Sequence, residues 1–387
     1  MTHAEAWVAW VSLAALGCTG AKAVSHEAFV SPANAASAPA PDPGPEGKSF
    51  VAGVETVGRF DKTSITAPAF AWSGSSLSAR FSGHSVSVDL DDATGNNRFA
   101  VIVDGKVQGA KLSVARGSHP YTLASGLAPG SHEVTLYRLT EANQGETNFL
   151  GFRFGKGGAL LPRAPHVSRR LEIIGDSIST GYGNEGADKN CKFSPETENH
   201  FLTYEAIAAR KLDADLVTIA WSGKGVFSNR GSTVDTVVMP VLWKRTLPER
   251  ADSRWDFSGY QPDAVVINLG SNDFAPEVRD TSPFGGAYLA FVREVRSHYP
   301  SAAILCTVGP VLSDTWPEGR KALTQARQAI KSAVDTLRQG GDAKVSFLEF
   351  PQQTEVNGYG CDWHPSLKTH EIMAGLLEKE LRATMSW

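Results

Sequence analysis

Four short stretches carry residue types suited to acyl transfer: Gly175-Asp176-Ser177, Ser222-Gly223, Gly270-Ser271-Asn272-Asp273 and Cys361-Asp362-Trp363-His364-Pro365. A serine hydroxyl is a weak nucleophile until a base takes its proton. The tetrahedral intermediate it forms carries an oxyanion, which needs hydrogen-bond donors aimed at it. Ser177 offers the hydroxyl, His364 the base, and the Gly223 N–H and the Asn272 amide the donors. Each piece alone is weak, because a lone loop histidine is more often a surface residue and a Gly-Asp-Ser tripeptide recurs by chance.

Placement gives the set its weight. From Arg169 onward, apolar runs alternate with helical spacing. LEIIGDS, DLVTIAWSG, DAVVINLGSND, AAILCTVGP and KVSFLEF read as strands, and TYEAIAARKL, GAYLAFVREVRSHY, KALTQARQAIKSAVDTLRQ and SLKTHEIMAGLLEKELRATM as helices. Continuous apolar strands separated by helices make a parallel sheet covered on both faces. In such sheets the working groups sit on the loops after the strands. All four stretches fall there, on one edge of one sheet.

Residues 49–158 have a different period. SVSVDL puts Val86, Val88 and Leu90 on one face, and RFAVIVDGKV puts Phe99, Val101 and Val103 on one face before an Asp104-Gly105 turn. SHEVTLYRL repeats the alternation, and turn signals recur throughout with no helical stretch, which predicts an antiparallel β-sandwich. LPRAP, near 160–165, separates it from a second domain over 166–387. Two domains suit a chain of 387 residues at roughly 150 per domain.

Hydrophobic residues at 42% and charged residues at 20% are ordinary for a folded soluble chain. Lys+Arg 37 against Asp+Glu 41 gives a net charge of −4 with no strongly basic half, so nucleic acid is not an expected partner. Residues 1–18 read as a signal peptide: Ala6 to Gly17 (AWVAWVSLAALG) is apolar but too short to span a bilayer with ease. LAALGC resembles a bacterial lipobox, which makes Cys18 a candidate for lipidation and the chain a candidate for a lipid anchor. Ala15 stands where that pattern has Leu, and no Lys or Arg precedes the run, so a cleaved secretory signal with an incidental cysteine is the alternative. Residues 19–48, rich in Ala, Pro and Ser, read as a tether. Cys306 lies in a buried-strand pattern, whereas Cys191 and Cys361 lie in loops and are candidates for a disulfide in an exported protein, free thiols being the alternative. No CxxC, HExxH or HxH spacing occurs, so neither a metal nor another cofactor is expected.

The stretches GDSIS, SGKG, GSND and DWHPS together resemble the SGNH hydrolases, a branch of the GDSL-type esterases and lipases. The resemblance implies a flavodoxin-like three-layer α/β domain over 166–387. It also implies that Ser177 is the nucleophile, that His364 is the base, and that the Ser177 N–H, Gly223 N–H and Asn272 side chain form the oxyanion hole. AFAWSGSSLSARFSG and VDG, in a sandwich ahead of IIGDSISTGYGNEG, resemble the family-2 carbohydrate esterases. Those carry a jelly-roll domain before the catalytic one and remove acetyl groups from xylan and glucomannan. The superfamily usually has Asp three residues before the His; here that position is Cys361, and Asp362 is the nearest acidic residue. Asp362 is therefore expected to orient His364, with a main-chain carbonyl as the alternative.

Tyr182, Trp221, Tyr359 and Trp363 flank these pieces. Sugars stack on aromatic faces, so Trp363 and Tyr182 are expected to line a glycan cleft, while Trp221, ending a buried strand, reads as core. The expected protein is a monomeric, exported serine esterase acting on acetylated polysaccharide. The alternatives are a lipase, thioesterase or arylesterase with the same site, or a binding module with a decayed site.

Overall fold

A computed structural model describes residues 51–162, 169–231 and 236–387. The expected signal peptide, Cys18, the tether and part of LPRAP lie outside them.

The alternating segments pair into two antiparallel sheets. One is built on Ser76–Ser82, Ser131–Arg138 and Arg98–Val103, the other on Thr147–Phe154, Val86–Asp92 and Gly117–Ala124. Their inward residues, among them Leu77, Phe81, Val88, Leu90, Phe99, Val101, Leu136 and Phe152, close on one another as a core. Asp104 and Gly105, at φ 51° and 76°, form the tight turn that joins Val103 to Lys106, as hairpin twist requires. Ala159–Leu161 pairs with Arg80–Ser82, so the sandwich continues past the boundary expected at 158.

The second domain has five strands: β1 (Arg169–Gly175), β2 (Ala214–Ala220), β3 (Ala264–Asn268), β4 (Ala303–Val308) and β5 (Val345–Glu349). All pair in parallel, in the order β2-β1-β3-β4-β5. Its helices are α1 (Ser177–Thr180), α2 (Tyr204–Leu212), α3 (Met239–Leu242), α4 (Phe284–His298), α5 (Ala322–Gln339) and α6 (Leu367–Met385). Alternate strand residues feed the two faces. Ile174, Ile219, Ile267 and Ile304 pack with α4 and α5, and Leu171, Ile173, Val266 and Leu305 with α2 and α6. The connection reverses direction between β1 and β3, and a ligand crevice forms at such a switch point, beyond the carboxyl ends of the strands.

The two domains share a core. Ala69, Ala71, Trp72 and Ala142 of the sandwich are buried with the α4–α5 side of the sheet. The Trp72 indole N–H donates to the Thr246 carbonyl at 2.9 Å. Arg59 and Glu172, both fully buried, face each other at 3.5 Å across the junction. Among the described residues no helix is long and apolar enough to cross a membrane.

Candidate active site

β1 ends at Gly175 and the chain turns at once into α1. The Asp176 carboxylate caps that helix by accepting the Ile178 N–H at 3.0 Å, which leaves Ser177 at its first turn. Asp176 also accepts the Ser271 hydroxyl, tying the loop after β1 to the loop after β3. Burial pushes the Asp176 carboxyl up to about 6.

His364 arrives from the other end of the chain, and its Nε2 lies 2.8 Å from Ser177 Oγ. Its Nδ1 lies 3.1 Å from the Cys361 carbonyl. A carbonyl can only accept, so Nδ1 carries the ring proton and Nε2 presents its lone pair to the serine hydroxyl. The carbonyl is held still. It also accepts the His364 N–H at 3.0 Å, while the Cys361 N–H donates to the Gly183 carbonyl at 2.9 Å. Cys361 and Cys191 are joined as a disulfide across a sequence separation of 170. Gly183, at φ +56°, lies so close that a Cβ there would be 2.6 Å from the Cys361 Cβ.

Asp362 departs from expectation. Its carboxylate does not meet the imidazole. It accepts from Lys192 Nζ at 2.7 Å, the Phe193 N–H at 3.1 Å and the Tyr182 hydroxyl at 3.2 Å. Asp362 and Trp363 both take left-handed backbone angles, φ 51° and 65°, and this turn directs the carboxylate to the 182–193 segment while the Cys361 carbonyl meets His364. Partial burial works against the Asp362 charge, but the Lys192, Phe193 and Tyr182 contacts outweigh it and hold the carboxyl below its ordinary value. Asp362→Asn is therefore expected to lower kcat less than about 10-fold. Loss of an orienting carboxylate would cost about 10²–10⁴-fold, and kinetics with p-nitrophenyl acetate separate the two.

Tyr182, expected to line a glycan cleft, also touches the catalytic base. Its ring packs on the imidazole, with centroids 4.1 Å apart, and against Phe193 at 4.4 Å, so it supports His364. Trp363 is 55% exposed, with Tyr359 5.2 Å from it and Lys189 Nζ 4.4 Å above its ring. Trp221 packs on the core.

The donor loops are braced from below. Gly223 takes φ +79°, which favours glycine, and the Arg230 N–H donates to its carbonyl at 2.9 Å. Asp273 accepts the N–H groups of Val226, Phe227 and Ser228 at 3.0, 2.8 and 3.0 Å, so a residue after β3 fixes the loop after β2. In the sequence Asp273 stands out only as part of GSND. The Asn272 amide donates to the Lys224 carbonyl at 2.9 Å.

Burial pulls the His364 imidazole down to about 4, against the Cys361 carbonyl, which favours its protonated form. A general base must be neutral, so activity falls as pH drops through its pKa. The acid limb of kcat/KM is expected near pH 4, and a limb at the ordinary imidazole value of about 6.5 would contradict this environment.

An activated serine at a switch point of a flavodoxin-like sheet, behind a fused β-sandwich, defines a two-domain hydrolase. The GDSL-like Lipase/Acylhydrolase family matches residues 173–372 and the Carbohydrate esterase 2 N-terminal family residues 56–165. The chain belongs to the GDSL-like acylhydrolases and, within them, to the family-2 carbohydrate esterases. It is 43% identical over 330 residues to the cellulase/esterase CelE of Acetivibrio thermocellus, across 85% of this chain and 39% of that one. This chain therefore spans well under half of that relative. An acetylxylan esterase / glucomannan deacetylase of Cellvibrio japonicus is 26% identical over 340 residues, 86% of this chain and 89% of that one. The structure of a family two carbohydrate esterase from Clostridium thermocellum in complex with cellohexaose superposes with TM-score 0.81 at 43% identity, over 87% of this chain and 100% of that one.

Proposed function

We propose that the protein is a serine esterase that removes O-acetyl groups from plant cell-wall polysaccharide, with xylan and glucomannan as substrates. The observation that carries this reading is the Ser177 Oγ–His364 Nε2 contact at 2.8 Å with Nδ1 committed to the Cys361 carbonyl. His364 takes the Ser177 proton as Oγ bonds to the acetyl carbon, and the carbonyl oxygen becomes an oxyanion facing the Ser177 and Gly223 N–H groups and the Asn272 amide. Collapse breaks the bond to the sugar oxygen, which leaves with the proton from His364. Water activated by His364 then attacks the acetyl-enzyme, and acetate departs. The cellohexaose bound to the similar clostridial esterase, and the activities named for the Cellvibrio relative, support a glycan ester as substrate. Trp363, exposed and next to His364 in the chain, offers apolar surface that suits a sugar ring. A disulfide suits an oxidising compartment, which supports export, with Cys18 as the candidate lipid attachment point.

Acetate release from acetylated xylan, glucomannan and peptidoglycan tests the reading, alongside p-nitrophenyl esters from acetate to octanoate. Release from the two plant glycans, with acetate the fastest nitrophenyl ester, is expected. Fastest turnover of octanoate would favour a lipase instead.

A further inference from the structure

The loop that carries Gly223 is held from outside the catalytic domain. Glu141 lies in the turn between the sandwich strands Ser131–Arg138 and Thr147–Phe154 and is fully buried. Its two carboxylate oxygens divide between one residue's donors, the Ser222 N–H and the Ser222 hydroxyl, each at 2.8 Å. Ser222 immediately precedes Gly223.

The turn that carries the carboxylate is itself braced. Arg138, also fully buried, donates to the carbonyls of Thr140, Glu141 and Gly145 at 3.0, 3.0 and 2.7 Å, which fixes the turn. The Glu141 N–H donates to the buried Glu198 carboxylate at 3.0 Å, in the segment between α1 and α2. The Thr180 hydroxyl of α1 lies 3.5 Å from the Ser222 hydroxyl. The sandwich turn thus meets the oxyanion loop at Ser222 and the segment after the nucleophile's helix at Glu198.

Two buried carboxyls are a costly way to fill an interface, and burial pushes both upward. An apolar contact would join the domains without that cost, as Trp72 and Ala142 already do. What the carboxylate adds is direction. A Cβ at Gly223 would meet nothing within 4 Å, so side-chain packing does not set the peptide there. Its orientation comes from its neighbours: Glu141 at Ser222 on one side, and Arg230 and Asp273 on the other.

We propose that Glu141 is a positioning residue of the esterase site, through which the β-sandwich aims the Gly223 N–H into the oxyanion hole. The sandwich then acts as part of the catalytic apparatus as well as a neighbouring domain. The proposal rests on the esterase reading.

The test uses the full chain and p-nitrophenyl acetate, and wild-type turnover comes first. An inactive wild type would sink the esterase reading, whereas the variants address only Glu141. Glu141→Ala is expected to lower kcat about 10–100-fold with KM within about threefold, because oxyanion donors act in the transition state. In Glu141→Gln the side-chain oxygen can still accept the Ser222 N–H, and the amide can donate to the Ser222 hydroxyl. It should recover kcat to within about tenfold of wild type. Tyr137→Phe is the control: it removes a 2.6 Å contact to His200 at the same domain junction, so it lowers the melting temperature with kcat unchanged. A folded Glu141→Ala with kcat within threefold of wild type would overturn the proposal. So would an equal kcat loss in Tyr137→Phe at matched destabilisation. Should Glu141→Ala not fold, Ser222→Ala carries the test: removing the hydroxyl contact alone should lower kcat about 3–10-fold at constant KM, and an unchanged kcat would refute the idea.

Discussion

Ser177→Ala is expected to lower kcat by about 10⁴-fold or more while the protein stays folded. The hydroxyl is the atom that attacks, and its partner at 2.8 Å is His364 Nε2. Removing it takes away the acyl-enzyme route altogether. What remains is catalysis by water in a site that still holds the oxyanion donors, and that residue of activity is small. The fold has little reason to change. Alanine keeps the backbone of α1, the Asp176 cap depends on the Ile178 N–H, and the serine side chain is nearly buried without filling a core position. The measurement is kcat with p-nitrophenyl acetate together with a melting temperature. The wild type should also show a burst of nitrophenol as acetyl-enzyme builds up if deacylation is slow, and the variant should show none. A folded Ser177→Ala within tenfold of wild type would remove the serine mechanism.

The residues that meet at Ser177 were readable because each follows an apolar strand, and five such strands in a doubly wound sheet can present their loops on only one edge. Ser177 after β1 and Asn272 after β3 flank the switch point for that reason. The group behind His364 was not readable in the same way. Asp362 is the nearest acid in the sequence, but the left-handed angles at Asp362 and Trp363 decide which atom meets Nδ1. Nothing in CDWHP announces them, since neither residue is glycine. The expectation that Tyr182 lines a glycan cleft follows from its ring type alone. Its stacking on His364 depends on how the 182–193 segment folds back, which the disulfide to Cys361 helps to fix. The domain junction was the least legible part. Alternation assigned Ala69, Ala71 and Trp72 to a sandwich face, but periodicity does not say that this face meets another domain. Glu141 and Ser222 are 81 residues apart, and no local pattern couples them.

The second large effect is expected at Asn272. Its amide has two hydrogens. One is committed to the Lys224 carbonyl at 2.9 Å, a normal hydrogen bond. The amide nitrogen lies 3.4 Å from Asp176 Oδ2, too long for a strong hydrogen bond, so its second hydrogen is not firmly committed and can donate to a developing oxyanion. Asp176 does not compete hard for it. Its oxygens are already occupied by Ser271 and the Ile178 N–H, and burial disfavours its charge. The ester carbonyl of bound substrate is a weak acceptor and the oxyanion a strong one, so this donor stabilises the transition state more than the ground state. Asn272→Ala should therefore lower kcat about 10²–10³-fold, equivalent to about 2.7–4 kcal/mol, and leave KM within about threefold. It also removes a hydrogen bond to the Lys224 carbonyl, so the melting temperature must be read beside the kinetics to separate a looser loop from a lost donor. An unchanged kcat, or a loss confined to KM, would take Asn272 out of the oxyanion hole and leave the task to the Ser177 and Gly223 N–H groups.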